Sequence, residues 1–280
     1  YTLGLRRGAV QMFATAKRVH IWGENLFGQT NLPAGLGDVV ALSSGGGWHV
    51  LRPDGTLVVW GRNNSGQTNT PPGLTNVIAV AAGGDYNLAL RSDGTVAAWS
   101  GTPTNITLPS GLTNIVMVSA GGHHNLALKA DGTLMAWGLN DYGQTNIPAG
   151  LSNVVGMACG LKHNIVLKDD GTVLAWGLNE YGTTSVPAGL SNVVDVAANY
   201  SASMVRKADG TVVVFSNLSP LTNVPPALTN TAAVACGGFH GLAMKEDGAL
   251  ATWGYLGTSL ILPADLTNAV AVSAGGDNSL

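Results

Sequence analysis

A large aromatic residue recurs along the chain every 38 or 39 residues, and this period constrains the fold more than any other feature. The recurring residues are Trp22, Trp60, Trp99, Trp137, Trp176, Phe215 and Trp253. A unit of this length cannot bury its own hydrophobic face, so neighbouring units must stack as an open solenoid or a closed ring. The unbroken period predicts a single domain over residues 1–280, built from seven repeats.

One repeat, from Asn114 to Ser152, is typical of a small antiparallel sheet. Its Asp131-Gly132 pair is a strong hairpin signal, because glycine readily adopts the positive φ that tight turns need. Pro148 cannot donate to a central ladder, so the last segment is predicted to form the outer edge. The predicted strands are Ile115–Ala120, Asn125–Lys129, Thr133–Trp137 and the outer segment Gln144–Pro148. The sequence therefore predicts four-stranded antiparallel repeats.

The two ends of the chain favour closure of the repeats into a ring. Ala269–Ala274 resembles a first strand without its partners, whereas Val10–Ala14 and Val19–Trp22 resemble second and third strands without a clear first strand. Joining them would complete a seventh blade and remove the exposed sheet edges. Alternatively, Tyr1–Leu5 supplies the missing strand and Ala269–Leu280 begins another copy in a longer protein.

The composition excludes several classes of function. Charged residues make up 10% of the chain and the net charge is −3, so no broad basic surface is expected and nucleic acid is not a predicted partner. A small basic cluster near the start of the chain is interpreted as solvated: Arg6, Arg7, Lys17 and Arg18. No apolar run approaches the length of about 20 residues that a membrane span requires.

The two cysteines are predicted to be unpaired. Cys159 and Cys236 each stand 17 residues before a recurring tryptophan, so they occupy equivalent positions two repeats apart. Equivalent positions at that separation are too distant for a disulfide. Both are interpreted as small buried apolar residues.

The repeat resembles the regulator of chromosome condensation repeat. The resemblance lies in the segments 120–129 (Ala-Gly-Gly-His-His-Asn-Leu-Ala-Leu-Lys), 131–138 (Asp-Gly-Thr-Leu-Met-Ala-Trp-Gly) and 142–145 (Tyr-Gly-Gln-Thr). The short period and the Gln-Thr-Asn-x-Pro ending are most similar to the bacterial branch that includes the secreted propeller inhibitor of β-lactamases. The resemblance implies an all-β, seven-bladed β-propeller with four-stranded blades, closed between its N- and C-terminal strands. It does not fix the function, because this fold serves unrelated functions.

Antiparallel strands place two kinds of loop at the same end of every blade: the Gly-Gly turn after the first strand and the loop after the recurring aromatic. We call this end the loop face. It collects aromatics, mixed charges and small polar residues, a composition typical of protein-binding hot spots. The candidate partner-binding residues are Phe27, Trp48, Asp85, Tyr86, His123, Tyr142, Lys162, Tyr181, Tyr200, Phe239 and Tyr255.

A structural role is the alternative for part of this set. Trp48 and Tyr86 align with His124, His163 and His240 at the start of the second strand, where a side chain can equally fill the neighbouring blade. Phe27, Tyr142 and Tyr181 share a second column, before a loop glycine. Tyr200, Phe239, Lys162, Asp85 and His123 break the pattern of their columns, as recognition residues do.

Catalysis, cofactors and metals are not predicted. No carboxylate accompanies the histidines with the spacing of a metal site or a catalytic triad. The sequence therefore favours a non-enzymatic, exported bacterial propeller, extracellular or at the cell surface, that binds another protein on its loop face as an enzyme inhibitor or adhesion module. The alternatives are a carbohydrate-binding propeller and a structural module of a larger surface protein.

Overall fold

A computed structural model describes residues 19–45, 47–100, 106–255, 262, 266, 268–276 and 278–279. The fold is all-β, with a short helical turn, α1 (Ser219–Thr222). Six sheets are each built from three consecutive strands. They are β2 (Ala41–Ser44), β3 (Trp48–Leu51), β4 (Leu57–Trp60); β5 (Val77–Ala82), β6 (Tyr86–Arg91), β7 (Val96–Ser100); β8 (Ile115–Ala120), β9 (His124–Lys129), β10 (Leu134–Gly138); β11 (Val154–Cys159), β12 (His163–Lys168), β13 (Val173–Gly177); β14 (Val193–Ala198), β15 (Ser203–Lys207), β16 (Val212–Phe215); and β17 (Thr231–Cys236), β18 (His240–Lys245), β19 (Leu250–Gly254).

A further sheet joins residues from the two ends of the chain. Its strands are β1 (Trp22–Gly23), β20 (Ala274–Gly275) and β21 (Asn278–Ser279), with β21 in the middle. Trp22 lies opposite Ser279 in an antiparallel ladder. The second strand of this sheet was expected at Val10–Ala14, which lies outside the described residues, as do Tyr1–Leu5 and the basic cluster. The observed middle strand comes instead from the C-terminal segment, which reaches the ladder position beside Trp22.

The C-terminal segment also contacts the sheets on both sides of it. The backbone N–H of Gly238, in the turn between β17 and β18 of the sixth sheet, donates to the carbonyl of Gly276 at 2.7 Å. The hydroxyls of Ser44, in the first sheet, and Ser273 are 2.7 Å apart. This segment therefore lies between the first and the sixth sheets.

The prediction of a fourth strand is wrong for the described blades, whose sheets have three strands. In the loop after β10, the side chain of Asn140 accepts from the N–H of Thr145 at 3.0 Å and donates to Asn146 at 2.9 Å. Gly143 has a φ of 73°, which turns the chain back on itself. These local hydrogen bonds occupy groups that a ladder would need, so the outer segment is a compact loop.

The hydrophobic core consists of layers between neighbouring sheets. In one layer Val40 and Leu51 of the first sheet pack with Val80 and Trp99 of the second. In another, Ile165 of the fourth sheet packs with the fifth sheet, including Phe215. In these layers Trp99 and Phe215 bury their rings against the preceding sheet, in keeping with the stacking of neighbouring units that the period predicts.

A hydrogen-bonded trio fastens the outer loop of one repeat to the next sheet. The carbonyl of Gln67 accepts from the indole Nε1 of Trp99 at 3.1 Å and from the amide of Asn87 at 2.9 Å. Gln144, Asn164 and Trp176 repeat this arrangement, with distances of 2.7 Å to Asn164 and 3.1 Å to Trp176. We call each such trio an outer clamp.

The first strands of the sheets line a shared cavity of about 470 Å³, mainly with small and aliphatic residues such as Val80, Ala81 and Ala197. Small side chains allow several sheets to converge on one axis. Within the part of the chain that is described, no helix has the length and apolar character needed to cross a membrane.

Replacing Trp99 with alanine is expected to lower the free energy of unfolding by about 3–5 kcal/mol, because it empties a buried inter-sheet position. Trp99→Phe keeps most of the ring but removes the bond to Gln67, so its loss should be smaller, about 1–2 kcal/mol. Urea unfolding followed by circular dichroism measures both changes. Equal losses for the two variants would contradict a packing role for the ring.

Candidate functional site

Five loop-face aromatics form a continuous surface, which we call the aromatic arc. It comprises Tyr142, Tyr181, Tyr200, Phe239 and Tyr255. Ring centroids are 6.3 Å apart between Tyr181 and Tyr200, 5.4 Å between Tyr200 and Phe239, and 6.3 Å between Phe239 and Tyr255. The loops that carry these four rings belong to the fourth, fifth and sixth sheets, so three neighbouring blades share one surface.

Lys162 links Tyr142, from the third sheet, to the rest of the arc. Its Nζ lies 4.5 Å from the centroid of the Tyr142 ring and donates to the phenol oxygen at 3.3 Å. Lys162 also lines a small pocket together with Tyr181 and Tyr200. Tyr142 and Phe239 therefore belong to the same surface.

Much of the arc is open to solvent. The exposed fractions are 43% for Tyr142, 40% for Tyr200, 39% for Phe239 and 55% for Tyr255. Single exposed aromatics need no explanation, but contiguous ones mark interaction sites on protein surfaces. Rings already in contact with each other also lose little side-chain freedom on binding.

The core holds the loop of Tyr142 in place. The backbone N–H of Tyr142 donates to the side-chain oxygen of Gln144 at 2.8 Å. Gln144 is 1% exposed, and its carbonyl belongs to the outer clamp with Asn164 and Trp176. One buried glutamine thus connects the packing between sheets to the orientation of a surface tyrosine.

Hydrogen bonds between and within sheets order the turns on the other side of the arc. The hydroxyl of Ser201, next to Tyr200, donates to the carbonyl of Gly238 at 2.8 Å. The backbone N–H of Tyr255 donates to the carbonyl of Phe239 at 2.9 Å. Because these bonds tie neighbouring turns together, the relative placement of the three rings is fixed by the backbone.

Trp48 and Tyr86 were predicted to lie on the binding surface, and this prediction is wrong. They are 2% and 0% exposed, so neither ring can contact a partner. The Tyr86 hydroxyl donates to the carbonyl of His124 in the next sheet at 2.8 Å. Tyr86 therefore has the alternative, structural role of filling the space against the neighbouring blade. Trp48 also occupies a different column: it pairs with Trp60, the recurring aromatic itself, whereas Tyr86 pairs with Ser100, one residue beyond Trp99.

The remaining candidates lie apart from the ring contacts of the arc. Phe27 is 45% exposed, and the guanidinium of Arg62 lies 5.7 Å from the centroid of its ring. Asp85 is half-buried and His123 is exposed, each in the turn before a second strand. The sequence identified every member of the arc, but it gave no signal for which of the candidates would touch one another.

The buried histidines bind neighbouring sheets together. The Nε2 of His124 lies 2.8 Å from the side-chain oxygen of Asn164, that of His163 lies 3.0 Å from the hydroxyl of Ser203, and that of His240 lies 2.8 Å from the hydroxyl of Ser279. Burial lowers the pKa of His124 to about 4 and that of His163 to about 3. These two imidazoles are therefore neutral at neutral pH and serve as inter-sheet hydrogen-bonding groups.

Neither cysteine is disposed to react. Cys159 and Cys236 are free and buried, and burial raises the pKa of each thiol to about 12. A thiolate, the reactive form, is thus disfavoured at both positions. Among the described residues, no three or more histidine, cysteine, aspartate or glutamate side chains are grouped so as to hold a metal ion.

Two segments of the chain match the model of a known family. Residues 115–144 and 154–183, which contain most of the third and fourth sheets and the loops after them, match the model of the regulator of chromosome condensation (RCC1) repeat. No curated protein sequence matches the chain.

Solved structures of RCC1-like and related propellers share the fold. Prp20p of Saccharomyces cerevisiae superimposes with a TM-score of 0.81 at 18% identity, covering 96% of this chain and 92% of that one. Human WBSCR16 gives 0.73 at 16% identity, with coverages of 95% and 98%. The CRINKLY WD40 ectodomain of the Arabidopsis thaliana receptor kinase ACR4 gives 0.68 at 19%, with coverages of 84% and 88%. The chain therefore has the β-propeller architecture of RCC1-type proteins.

Acidification is expected to destabilise the protein between pH 6.5 and about 4. The pKa values of His49, His124 and His163 fall on folding from 6.5 to about 4, 4 and 3, because burial disfavours the charged ring. In this window the unfolded chain binds more protons than the folded one, so stability is complete above pH 6.5 and is lost as the pH falls. At pH 4.5 the loss should be about 2–3 kcal/mol per histidine.

Urea unfolding at pH 7.5 and 4.5 measures this difference. His163→Gln should reduce the pH dependence by about one third, whatever its effect on stability at pH 7.5, because one of the three shifted groups is gone. A free energy of unfolding that stays constant across this range would show that the three rings are not buried in solution.

Proposed function

We propose that this protein is a non-enzymatic RCC1-like propeller that binds another protein through the aromatic arc. The observation that carries the proposal is the continuity of the arc, whose five aromatics are connected by ring contacts and by Lys162 across four sheets. Such a surface offers a large contact area whose shape is set before the partner arrives. Preorganisation of this kind lowers the entropic cost of association.

The chemistry of the arc favours a protein ligand. Tyrosine and phenylalanine are enriched in the energetically dominant part of protein interfaces, where they are surrounded by polar residues. Here the exposed carboxylates of Asp141 and Glu180 flank the arc, next in sequence to Tyr142 and Tyr181. Aromatics can also stack on sugars, so a glycan is the competing ligand.

Structures of this fold bound to proteins are consistent with the proposal. The binding properties of Prp20p to Gsp1p and histones have been described with its structure, and yeast RCC1 has been crystallised with Kap60. Those interactions belong to the yeast protein, since 18% and 20% identity support the fold alone. For this chain we propose only that it, like the yeast protein, binds another protein.

We also propose an extracellular or cell-surface location in a bacterium and a role as an enzyme inhibitor. The resemblance of the Gln-Thr-Asn-x-Pro ending to the bacterial inhibitor branch motivates both proposals. Fractionation of the source cells tests the location. Activity assays of the captured partner, with and without the propeller, test inhibition, and an uninhibited enzyme would leave an adhesion role.

We propose further that the chain closes into a ring of seven blades. The sheet formed by β1, β20 and β21, and the contacts of its C-terminal segment with the first and sixth sheets, support this arrangement. A compact chain of this length should have a radius of gyration of about 19 Å. Small-angle X-ray scattering measures that value, and a clearly elongated particle would contradict closure.

Alanine at Tyr200 or Phe239 is expected to weaken partner binding by about ten- to thirtyfold, because each ring lies in the middle of the arc. The partner is captured on the immobilised protein, identified by mass spectrometry, purified and measured by biolayer interferometry. Both rings are substantially exposed, so the variants should unfold at nearly the parent temperature.

Leu32→Ala is the matched control, because Leu32 is 45% exposed and lies outside the arc. It should leave the affinity unchanged. Undiminished binding of both arc variants would rule out the arc as the docking surface. A hit on a glycan array that disappears in Tyr200→Ala would instead identify the ligand as a carbohydrate.

A further inference from the structure

All three members of the outer clamp are replaced at the junction between the fourth and fifth sheets. In ladder register, Ser203 pairs with Phe215 as Asn164 pairs with Trp176. Thr183 follows Tyr181 by two residues, as Gln144 follows Tyr142. All three members of the trio are therefore changed together: glutamine to threonine, asparagine to serine and tryptophan to phenylalanine.

The replacement of glutamine alters the loop that carries Tyr181. Gln29, Gln67 and Gln144 each accept a backbone N–H two residues earlier through the side-chain oxygen. Thr183 is 2% exposed, and its hydroxyl donates to the carbonyl of Leu178 at 2.9 Å, within its own loop. The shorter side chain does not extend into the space that glutamine fills in the other repeats.

A pocket of about 40 Å³ lies at this position, within the aromatic arc. Thr183 and Leu178 are on its wall, and Tyr181 and Tyr200 flank it. A cavity of about 10–15 Å³ holds one water molecule. The pocket is therefore the size of a group with about three heavy atoms, which is the size of a carboxylate.

Lys162 supplies a hydrogen-bond donor to the lining of the pocket. Lys162, which lines it, has its Nζ 3.3 Å from the phenol oxygen of Tyr142. Because the ammonium donates to that oxygen, the phenol hydrogen is available to another acceptor. Within the described ranges, no carboxylate lies within 4.0 Å of this ammonium. Tyr142 lies outside the lining, but its hydroxyl is 3.3 Å from this ammonium, so the two groups offer a pair of donors to a carboxylate that enters on the side of Lys162.

We propose that this pocket, which we call the Thr183 pocket, receives an aspartate or glutamate side chain of the partner protein. The inference rests on the proposed function, because it names the anchor of the same interface. Lys162 and Tyr142 donate to the carboxylate, and Tyr181 and Tyr200 exclude water around it. Glu180 also lines the pocket and repels a carboxylate, which weakens binding and restricts the approach to the side of Lys162.

An NMR titration tests the pocket directly. The probes are N-acetyl-glutamate N-methylamide and the isosteric, uncharged glutamine analogue. The glutamate probe should shift the amide signals of Thr183 and Tyr181 with millimolar affinity, and the glutamine probe should bind about tenfold more weakly. Equal shifts with the two probes would overturn the assignment of a carboxylate.

Three variants test whether the glutamate probe binds in the Thr183 pocket. Thr183→Gln restores the residue found in other repeats and fills the pocket, so glutamate binding should be lost. Thr183→Ser is its matched control, keeps the hydroxyl and should bind as the parent does. Glu180→Gln should bind the glutamate probe more tightly, by a fewfold. Unchanged binding in Thr183→Gln would show that the probe binds elsewhere.

Lys162→Gln provides a second test of carboxylate binding in case Thr183→Gln does not fold. It removes the charge from a partly exposed side chain and should abolish the preference for glutamate over glutamine. The purified partner separates this inference from the proposed function. Binding that requires Tyr200 and Phe239 but is unaffected by Thr183→Gln and Lys162→Gln would leave the arc in place and overturn the pocket.

Discussion

Stacking of each sheet on its neighbour is the constraint on which the rest of this structure depends. The recurring indole carries it: the ring of Trp99 is buried against the preceding sheet, and its N–H binds the outer loop of that repeat through Gln67. A three-stranded sheet alone cannot exclude water from both faces. Packing and polar pairing are thus satisfied at the same place in this repeat, and the loop is fixed as a consequence.

The candidate site is a product of that scaffold. Gln144 shows the connection, since its carbonyl accepts from Trp176 while its side chain positions the backbone of Tyr142. Where the trio changes to Thr183, Ser203 and Phe215, a small pocket lies in the middle of the exposed aromatics. A local departure from the repeat therefore coincides with the surface that we propose for binding.

Local sequence signals predicted most of the strands because they depend on neighbours in the chain. The Asp131-Gly132 turn is an example: the aspartate accepts both from the backbone and from the hydroxyl of Thr133, and these bonds lower its pKa. The prediction of a fourth strand was wrong because the sequence of the outer segment is compatible with an extended strand and does not reveal the side-chain hydrogen bonds of Asn140. Those bonds hold the segment in a loop, so it adds no strand to the ladder.

By itself, the sequence determined the period, the antiparallel hairpins and the set of aromatics carried by the loops, because each follows from residue spacing and turn chemistry. Only the tertiary structure decided which of those aromatics are available to a partner. Tyr86 is enclosed by the next sheet, whereas Tyr200 and Phe239 remain exposed and touch each other. The reason is physical: exposure depends on what the neighbouring sheet places opposite a side chain, and residues about forty positions away supply that surface.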